Sequence, residues 1–497
     1  MSCDVLIAGA GPVGLTMAAE LARYGVSVRI VDPAPKRTDK SKALVVWSRT
    51  LELVDRAGAS AALIAAGHRQ IAANIVANGK RIARFTLDGA PTPYPFGLMI
   101  PQSETERILE EHLGSLGVRV ERTVELTRFE ETGSGVGSVL HGADGREESV
   151  QSQWLIGCDG AHSVVRHQLG LEFHGDTLIS NWILADVYLS GPNAPTEIEI
   201  HWHAEGVLVF FPMGEGRCRL IFDVGPAADG DAPRPDPTLP EIQAALEQRG
   251  PGGIQAERPV WLASFRINER KVKDYRVGRV FLAGDAAHIH SPAGGQGMNT
   301  GMQDACNLAW KLALARHGLA NAERMLASYS PERSGVGEQI LKATGMATRI
   351  GTLHGGFKQA VRNELAGFIL GLHAVQRIAA NTLMEISVGY PSSPLNGPAA
   401  DLDAGPKPGE RAPIRSGESP IGAGSMPRFA LCATADELSQ GVLKRFLGLL
   451  EPSVRPPFDE NGIWLVRPDG YVAMTAQADD MAAVVDYLTL LAELSST

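Results

Sequence analysis

The sequence predicts a mixed α/β chain in which a doubly wound parallel sheet carries an inserted antiparallel sheet and is followed by a separate C-terminal unit. Three observations predict it. The chain opens on a short apolar strand that runs into a glycine turn and then an amphipathic helix. Two later apolar runs, at 154–158 and 279–283, end beside an Asp-Gly or Gly-Asp pair and lead into helical patterns. Between those two lie four short runs rich in β-branched and aromatic residues, the signature of an antiparallel sheet.

Composition narrows the function classes. The 497 residues carry 46 basic and 56 acidic side chains, a formal charge of −10, and 44% are hydrophobic, an ordinary globular balance with room for roughly two to four domains. Such a charge offers no basic field for a polyphosphate backbone, so nucleic acid is not an expected partner. Cys3, Cys158, Cys218, Cys306 and Cys432 form no CxxC and no paired spacing. Neither a disulfide framework nor a metal site is therefore expected, and a cytoplasmic location is. The apolar N-terminus carries Asp4 and Glu20 and lacks a basic leader, so it is expected to stay in the fold. No uncharged apolar run reaches the ~18 residues that span a bilayer, and no membrane association is expected.

The first element is a strand over 3–8, followed by GAGPVG at 9–14 and a helix over 15–24 with Leu15, Ala18, Ala19 and Ala22 on one face. Gly9 permits the tight turn, Gly11 lets a pyrophosphate approach the backbone, and Gly14 lets helix and strand pack closely, with Pro12 and Val13 between them. A second strand over 26–31 ends in Asp32, 18 residues beyond Gly14, where a carboxylate can accept from the hydroxyls of an adenosine ribose. This is a Rossmann-type dinucleotide site. It leaves FAD and NAD(P) both open, and no second turn of this kind occurs later in the chain.

Two further motifs bear on that choice. The strand ending at Asp159-Gly160 runs into a helix, and the strand ending at Gly284-Asp285 leads through Pro292, a glycine-rich loop and Gly297-Met298-Asn299 into a long helix. A carboxylate at Asp285 can bind ribityl hydroxyls while the amides of Gly297 to Asn299 point at a ring, where a helix N-terminus stabilises negative charge.

With GAGPVG, CDGAHSVVR at 158–166 and GRVFLAGDAAHIHSPAGGQGMNTGMQDACNLAWKL at 278–312, the sequence resembles the class A flavoprotein monooxygenases, the para-hydroxybenzoate hydroxylase and phenol hydroxylase group of aromatic hydroxylases. The resemblance implies that all three motifs contact FAD, that NADPH or NADH is a co-substrate without a domain of its own, and that FAD swings between outward and inward positions. It also points to Lys42, Arg49 and Gln102 near the flavin. Lys42 stands where the family carries Arg, so a point charge replaces a bidentate contact. Ser103 and Glu106 read as a capping box for a helix over 104–116. Lys36, Arg37 and Lys40 form a basic loop that reads either as solvated or as a 2′-phosphate contact.

The implied fold is a glutathione-reductase-like FAD domain with an inserted substrate sheet and a C-terminal thioredoxin-like domain lacking CxxC. Its expected parts are 1–175 (FAD domain, with an excursion to the sheet near 70–100), 176–275 (substrate sheet), 276–345 (FAD domain), 346–400 (helical cap and linker) and 401–497 (C-terminal domain). The sheet runs are 182–189, 197–203, 207–212 and 217–224, with a helix over 239–248 and mostly helix over 331–383. His201, Trp202, His203 and Phe211 are candidates for contact with an aromatic ring, as are Phe357, Phe368 and His373. The segment at 390–395 resembles the family's Y-x-x-S-P-L, and the turn at 467–471 is expected to serve packing or a subunit contact.

The expected activity is an FAD-dependent, NAD(P)H-consuming monooxygenase that uses O2 and a C4a-hydroperoxyflavin to hydroxylate a small phenolic or polycyclic, polyketide-like aromatic substrate. The alternatives are Baeyer–Villiger oxygenation on the same scaffold and a non-catalytic FAD redox sensor. No residue is assigned as catalytic base, His201, His203 and Tyr390 being guesses, and a monomer or homodimer is expected.

Overall fold

The computed structural model describes residues 2–77, 79–226, 234–292, 294–351, 373–415 and 417–492. It is a mixed α/β fold. The first sheet grows outward from its N-terminal strand, Ser2–Ala8, which lies between Val28–Asp32 and Glu147–Gly157. Val120–Arg122 and Val280–Leu282 extend it on either side, all in parallel. Helices cover these strands, so Val5, Leu6, Ile7, Leu155 and Ile156 are wholly buried, as both-sided burial of a parallel sheet requires. Helix Pro12–Arg23 packs against helix Gly297–Arg316. It starts three residues before the apolar period because Pro12 suits a first turn, where its missing N–H is not needed. Two antiparallel strands, Val124–Thr132 and Gly135–Gly142, hang from Glu147–Gly157. The first of them is mostly exposed, so no apolar alternation marks it in the sequence.

The second sheet takes its strands in the order His288–Ile289, Gln255–Lys271, His174–Ser190, Arg217–Pro226, Gly206–Pro212, Ile198–His203, Ala72–Ala77 and Lys80–Thr86. The four expected runs are all strands, the first being one half of the 17-residue His174–Ser190. The sheet is not purely antiparallel: Ile198–His203 pairs in parallel with Ala72–Ala77, which arrives from the first stretch of chain. One face buries Ile183, Val187, Leu208, Phe210 and Phe222 with Ile242 and Leu246 of helix Leu239–Arg249. The other buries Trp182, Val207 and Ile267 with Leu44, Val45, Trp47 and Met384. The two-residue strand His288–Ile289 pairs with Arg270 and Lys271, tying this sheet to a loop of the first domain.

Helix Gln102–Ser115 starts two residues earlier than the capping-box reading places it. Pro101 stands at its N-cap without a side-chain cap, and Glu106 instead accepts from the Gln102 amide at 2.9 Å. With the start at Gln102, Ser103 falls inside the first turn rather than before it, and Ser41 Oγ accepts from the Gln102 backbone N–H at 2.8 Å. Helices Tyr329–Gly351 and His373–Leu383 occupy the ends of the expected helical stretch. Phe357, Phe368 and the His373 side chain lie outside the described residues, as does 227–233 of the proline-rich loop.

The chain then crosses under helix Gly297–Arg316. Glu385, buried with φ of +58°, accepts from Gln303 Nε2 and lies 3.1 Å from Thr300 Oγ1. Thr300 Oγ1, which donates toward Glu385, also reaches the Gln296 carbonyl at 3.0 Å. Burial pushes the Glu385 carboxyl up to about 8 against weaker pulls from Thr300 and Arg333.

The C-terminal unit is an antiparallel sheet of Ala430–Cys432, Gly462–Val466 and Val472–Gln477 with helices Glu437–Arg445 and Met481–Ala492. It docks through a shared apolar core, in which Trp310 meets Phe429 edge-on at 5.7 Å, and through a buried ionic network. Arg467 meets Glu332 through two nitrogens at 2.7 and 3.0 Å and Asp469 at 3.0 and 2.6 Å. Lys311 reaches Glu332 at 2.7 Å, Trp310 donates to Asp469 at 3.1 Å, and Ser393 donates to Glu332 at 2.5 Å. Burial alone would raise the Glu332 carboxyl, but Arg467 and then Lys311 hold it far below the usual carboxylate range. The turn at 467–471 thus serves packing within the chain.

Two measurements check these contacts. Arg467→Met leaves Glu332 and Asp469 buried with too few donors, so urea unfolding is expected to show a loss of about 3–5 kcal/mol, and a loss below about 1 would refute the docking role. For Glu385 the folded value of about 8 lies above the ordinary 4.5. Its contribution is therefore complete at acidic pH and drains away as pH rises toward 8. Wild-type stability is expected to fall across that window, and Glu385→Gln to flatten that fall.

Candidate cofactor and substrate site

Three turns meet at the carboxyl ends of the parallel strands. Gly9 has φ of +99°, and a Cβ there would overlap the Cys158 carbonyl, so the first and second turns touch backbone to backbone. Gly284 and Gly301 receive Val13 in the same way: a Cβ on either would lie 2.8 or 2.6 Å from Val13 Cγ2. Arg166 joins the second motif to the third by donating to the Ala286 carbonyl at 3.2 Å. Asp304, inside helix Gly297–Arg316, fixes the third turn by accepting from the Gly284 amide at 3.0 Å and meeting His288 Nε2 at 2.7 Å. Arg333 holds its other oxygen at 2.6 Å.

A cleft of about 1270 Å³ opens over these turns. Among the expected site residues, Gly11, Pro12, Val13, Lys42, Gln102, Asp285, Pro292, Gly297 and Met298 line it. Phe211, Arg219 and Ile221 of the second sheet form its other wall together with Leu44 and Val45. Nothing lies within 4 Å of a Cβ built on Gly11, in contrast to Gly9 and Gly14, so the space over that turn is free for a ligand. Helices Pro12–Arg23 and Gly297–Arg316 both begin at this cleft, and their first amides have no acceptors within the helix. Asp159 accepts from the Val165 amide at 3.2 Å through one oxygen while the other is buried without a partner. Burial raises the Asp159 carboxyl, while the exposed Asp285 opens to the cleft. Two helix N-termini, a free volume over glycine and carboxylates at the margins fit a dinucleotide that bears a pyrophosphate and a polyol.

The remaining expected residues act one layer behind. Asp32 accepts from the Ala10 and Ala34 amides at 2.7 and 2.9 Å and so shapes the first turn. Asn299 is spent on the Trp47 amide and on the Val45 and Gly295 carbonyls, at 2.8 to 2.9 Å, leaving its backbone N–H to face outward from the first helical turn. The Gln102 side chain braces the Ala43 amide at 3.0 Å from the cleft wall. Arg49 is a correction to the sequence reading: it turns to the C-terminal unit, donating to the Asp469 carbonyl at 2.7 Å and stacking on Tyr471, because Glu52 and that unit supply its counter-groups. Lys36 pairs with Asp39 and Arg37 with Glu110, away from the cleft lining.

Of the sheet residues expected to touch an aromatic ring, only Phe211 lines the cleft. His201 points to the opposite core, edge-on to Phe210 at 5.1 Å, with Nε2 2.7 Å from Glu199. His203 accepts from the Glu205 amide, and Tyr390 accepts from Arg333 at 3.0 Å, so neither guessed base lies at the cleft. Trp202 belongs to the apolar cluster that continues from its wall. No motif marks Arg219, which lines the cleft pinned to Asp186 at 2.6 and 3.0 Å and to the Lys42 carbonyl at 3.1 Å. His290 also went unread. It lines the cleft, burial lowers its pKa to about 4, and Nδ1 faces the Ser291 carbonyl at 3.1 Å.

Comparison with known proteins agrees with this site. Residues 2–344 match a family model described as FAD binding domain. The 6-methylpretetramide 4-monooxygenase of Streptomyces rimosus is 36% identical across 95% of this chain and 91% of its own length. Pentachlorophenol 4-monooxygenase of Sphingobium chlorophenolicum is 33% identical across 71% of this chain and 65% of its own. Among solved structures, OxyS anhydrotetracycline hydroxylase from Streptomyces rimosus superposes with a TM-score of 0.81 at 28% identity, covering 99% of both chains. Among the described residues, no helix is long and apolar enough to cross a membrane. The chain belongs to the FAD-binding-domain family, within the class A flavoprotein aromatic hydroxylases that its three motifs resemble.

Proposed function

We propose that the chain is an FAD-dependent, NAD(P)H-consuming monooxygenase that hydroxylates a phenolic or polycyclic, polyketide-like aromatic compound. The observation that carries this reading is the cleft itself, with open space over Gly11 on one side and Phe211, Ile221 and Arg219 of the second sheet on the other. When bound, FAD takes reducing equivalents from NAD(P)H and uses O2 to place one oxygen atom on the aromatic ring.

The protein's own work is to bind, orient and exclude water. The turn Gly9, Gly11, Pro12, Val13 and Gly14 receives the pyrophosphate, and Asp32 keeps lone pairs for ribose hydroxyls beyond the two amides it already accepts. Lys42 adds positive charge at the rim and Asp285 takes ribityl hydroxyls, while Asp159 shapes the second turn between the lining residues Cys158 and Gly160. Gln102 and Pro292 border the ring, while the amides of Gly297, Met298 and Asn299 stabilise negative charge that develops there. Leu44, Val45, Phe211 and Ile221 give the substrate side an apolar lining that keeps water out. No side chain is assigned as proton acceptor. The C-terminal unit has a docking role rather than a redox one, since Cys432 is buried and desolvation pushes its thiol up to about 12.

The test is direct. Purified protein should carry a flavin spectrum, oxidise NADPH or NADH faster with a polycyclic phenol, and incorporate one atom from 18O2 into product by mass spectrometry. Failure of either nicotinamide to reduce the bound flavin with every aromatic ligand tried would sink the assignment. Two glycine variants separate binding from folding. Gly11→Val should keep its melting temperature within about 2 °C while losing FAD affinity by about 100-fold. Gly9→Val, which meets the Cys158 backbone, should instead lose about 3 kcal/mol or more of stability.

A further inference from the structure

We propose that Trp182 is a specificity-determining residue, its indole N–H donating to a carbonyl or quinone oxygen of a polycyclic substrate. This rests on the substrate class proposed above. Trp182 lies within strand His174–Ser190 and is 5% exposed. Alternation divides that strand: Ile183, Ala185 and Val187 enter the core beneath helix Leu239–Arg249, whereas Trp182 joins the apolar cluster of Leu44, Val45 and Trp47 on the opposite face. Leu44 and Val45 belong to that cluster and to the cleft wall alike, so Trp182 sits in the apolar layer that continues from the site. Four residues further along the strand, Asp186 holds Arg219, itself a cleft residue.

What distinguishes Trp182 is its nitrogen. The buried indoles of Trp47, Trp310 and Trp464 each donate to an oxygen, at 2.8, 3.1 and 2.9 Å. Among the described residues Trp182 Nε1 is buried with no acceptor. Native cores rarely leave such a donor unmatched, and pockets for apolar ligands place a few polar groups to fix orientation. Trp182 lies one layer behind the cleft lining, so its N–H meets a ligand oxygen where a planar ligand entering over Phe211 and Ile221 displaces part of this layer. Phenylalanine keeps an apolar ring there but is smaller and lacks the donor, so the contrast between two ligands, rather than the variant alone, isolates the hydrogen bond.

The experiment titrates the FAD-loaded full chain with 1,8-dihydroxyanthraquinone and with 1,8-dihydroxyanthracene, which keeps the hydroxylated frame and lacks the quinone oxygens; affinity is read from the change in flavin absorbance. Trp182→Phe is expected to weaken the quinone by about 10-fold and the anthracene by less than about 2-fold. Equal weakening of both, or none for the quinone, overturns the proposal while leaving the substrate class intact. If neither compound perturbs the flavin of the wild type, the substrate class falls and the proposal with it. Should the variant not fold, 15N-indole spectra of the wild type decide: one indole resonance must move downfield with the quinone and not with the anthracene, and its absence refutes the role.

Discussion

Three loops can share one cleft here only because their backbones touch where side chains would otherwise stand. The first turn rests on the second at Gly9, and Val13 is received by Gly284 and Gly301 of the third. That contact brings two helix N-termini to the same volume, which neither could serve alone. It also sets the strand order, since Ser2–Ala8 must lie centrally, with Val28–Asp32 and Glu147–Gly157 at its sides, for the loops to leave at one edge.

Much of this was legible because it is local. A glycine turn between a strand and a helix, or an acid at a strand end, is written in consecutive residues, and so the mixed α/β class and the turns were open to reading. What is not local was not. Arg467 and Glu332 are 135 residues apart, and nothing in the composition of either segment announces the partner. Arg49 looked like a cofactor cation because its neighbours match a family segment, yet its partners come from the far end of the chain. The Ser103 and Glu106 pattern failed for a similar reason, since Ser41, 61 residues earlier, accepts from the Gln102 N–H where the helix starts and Ser103 is left inside the first turn. His201 and Trp202 are adjacent and face opposite ways, and their sequence could assign them to different faces without saying which face borders the cleft.

Electrostatics separates two uses of buried charge. At the interface with the C-terminal unit, Glu332, Arg467, Lys311 and Asp469 satisfy one another, and the result is orientation rather than reactivity. Around the cleft the pattern differs: among the described residues an oxygen of Asp159, beside the lining, has no partner, and the Asp285 carboxylate opens to the site. A saturated network is inert and an unsaturated one invites a ligand. The same contrast sets Trp47 apart from Trp182.

The pairing of His288 and Ile289 with Lys271 and Arg270 gives the molecule a gearing. The loop that leads to helix Gly297–Arg316 is laced to the edge of the substrate sheet by main-chain bonds, and its other end is clamped by Asp304. Sheet and loop therefore cannot shift independently. A displacement of that sheet edge is carried by main-chain bonds into the loop ahead of helix Gly297–Arg316.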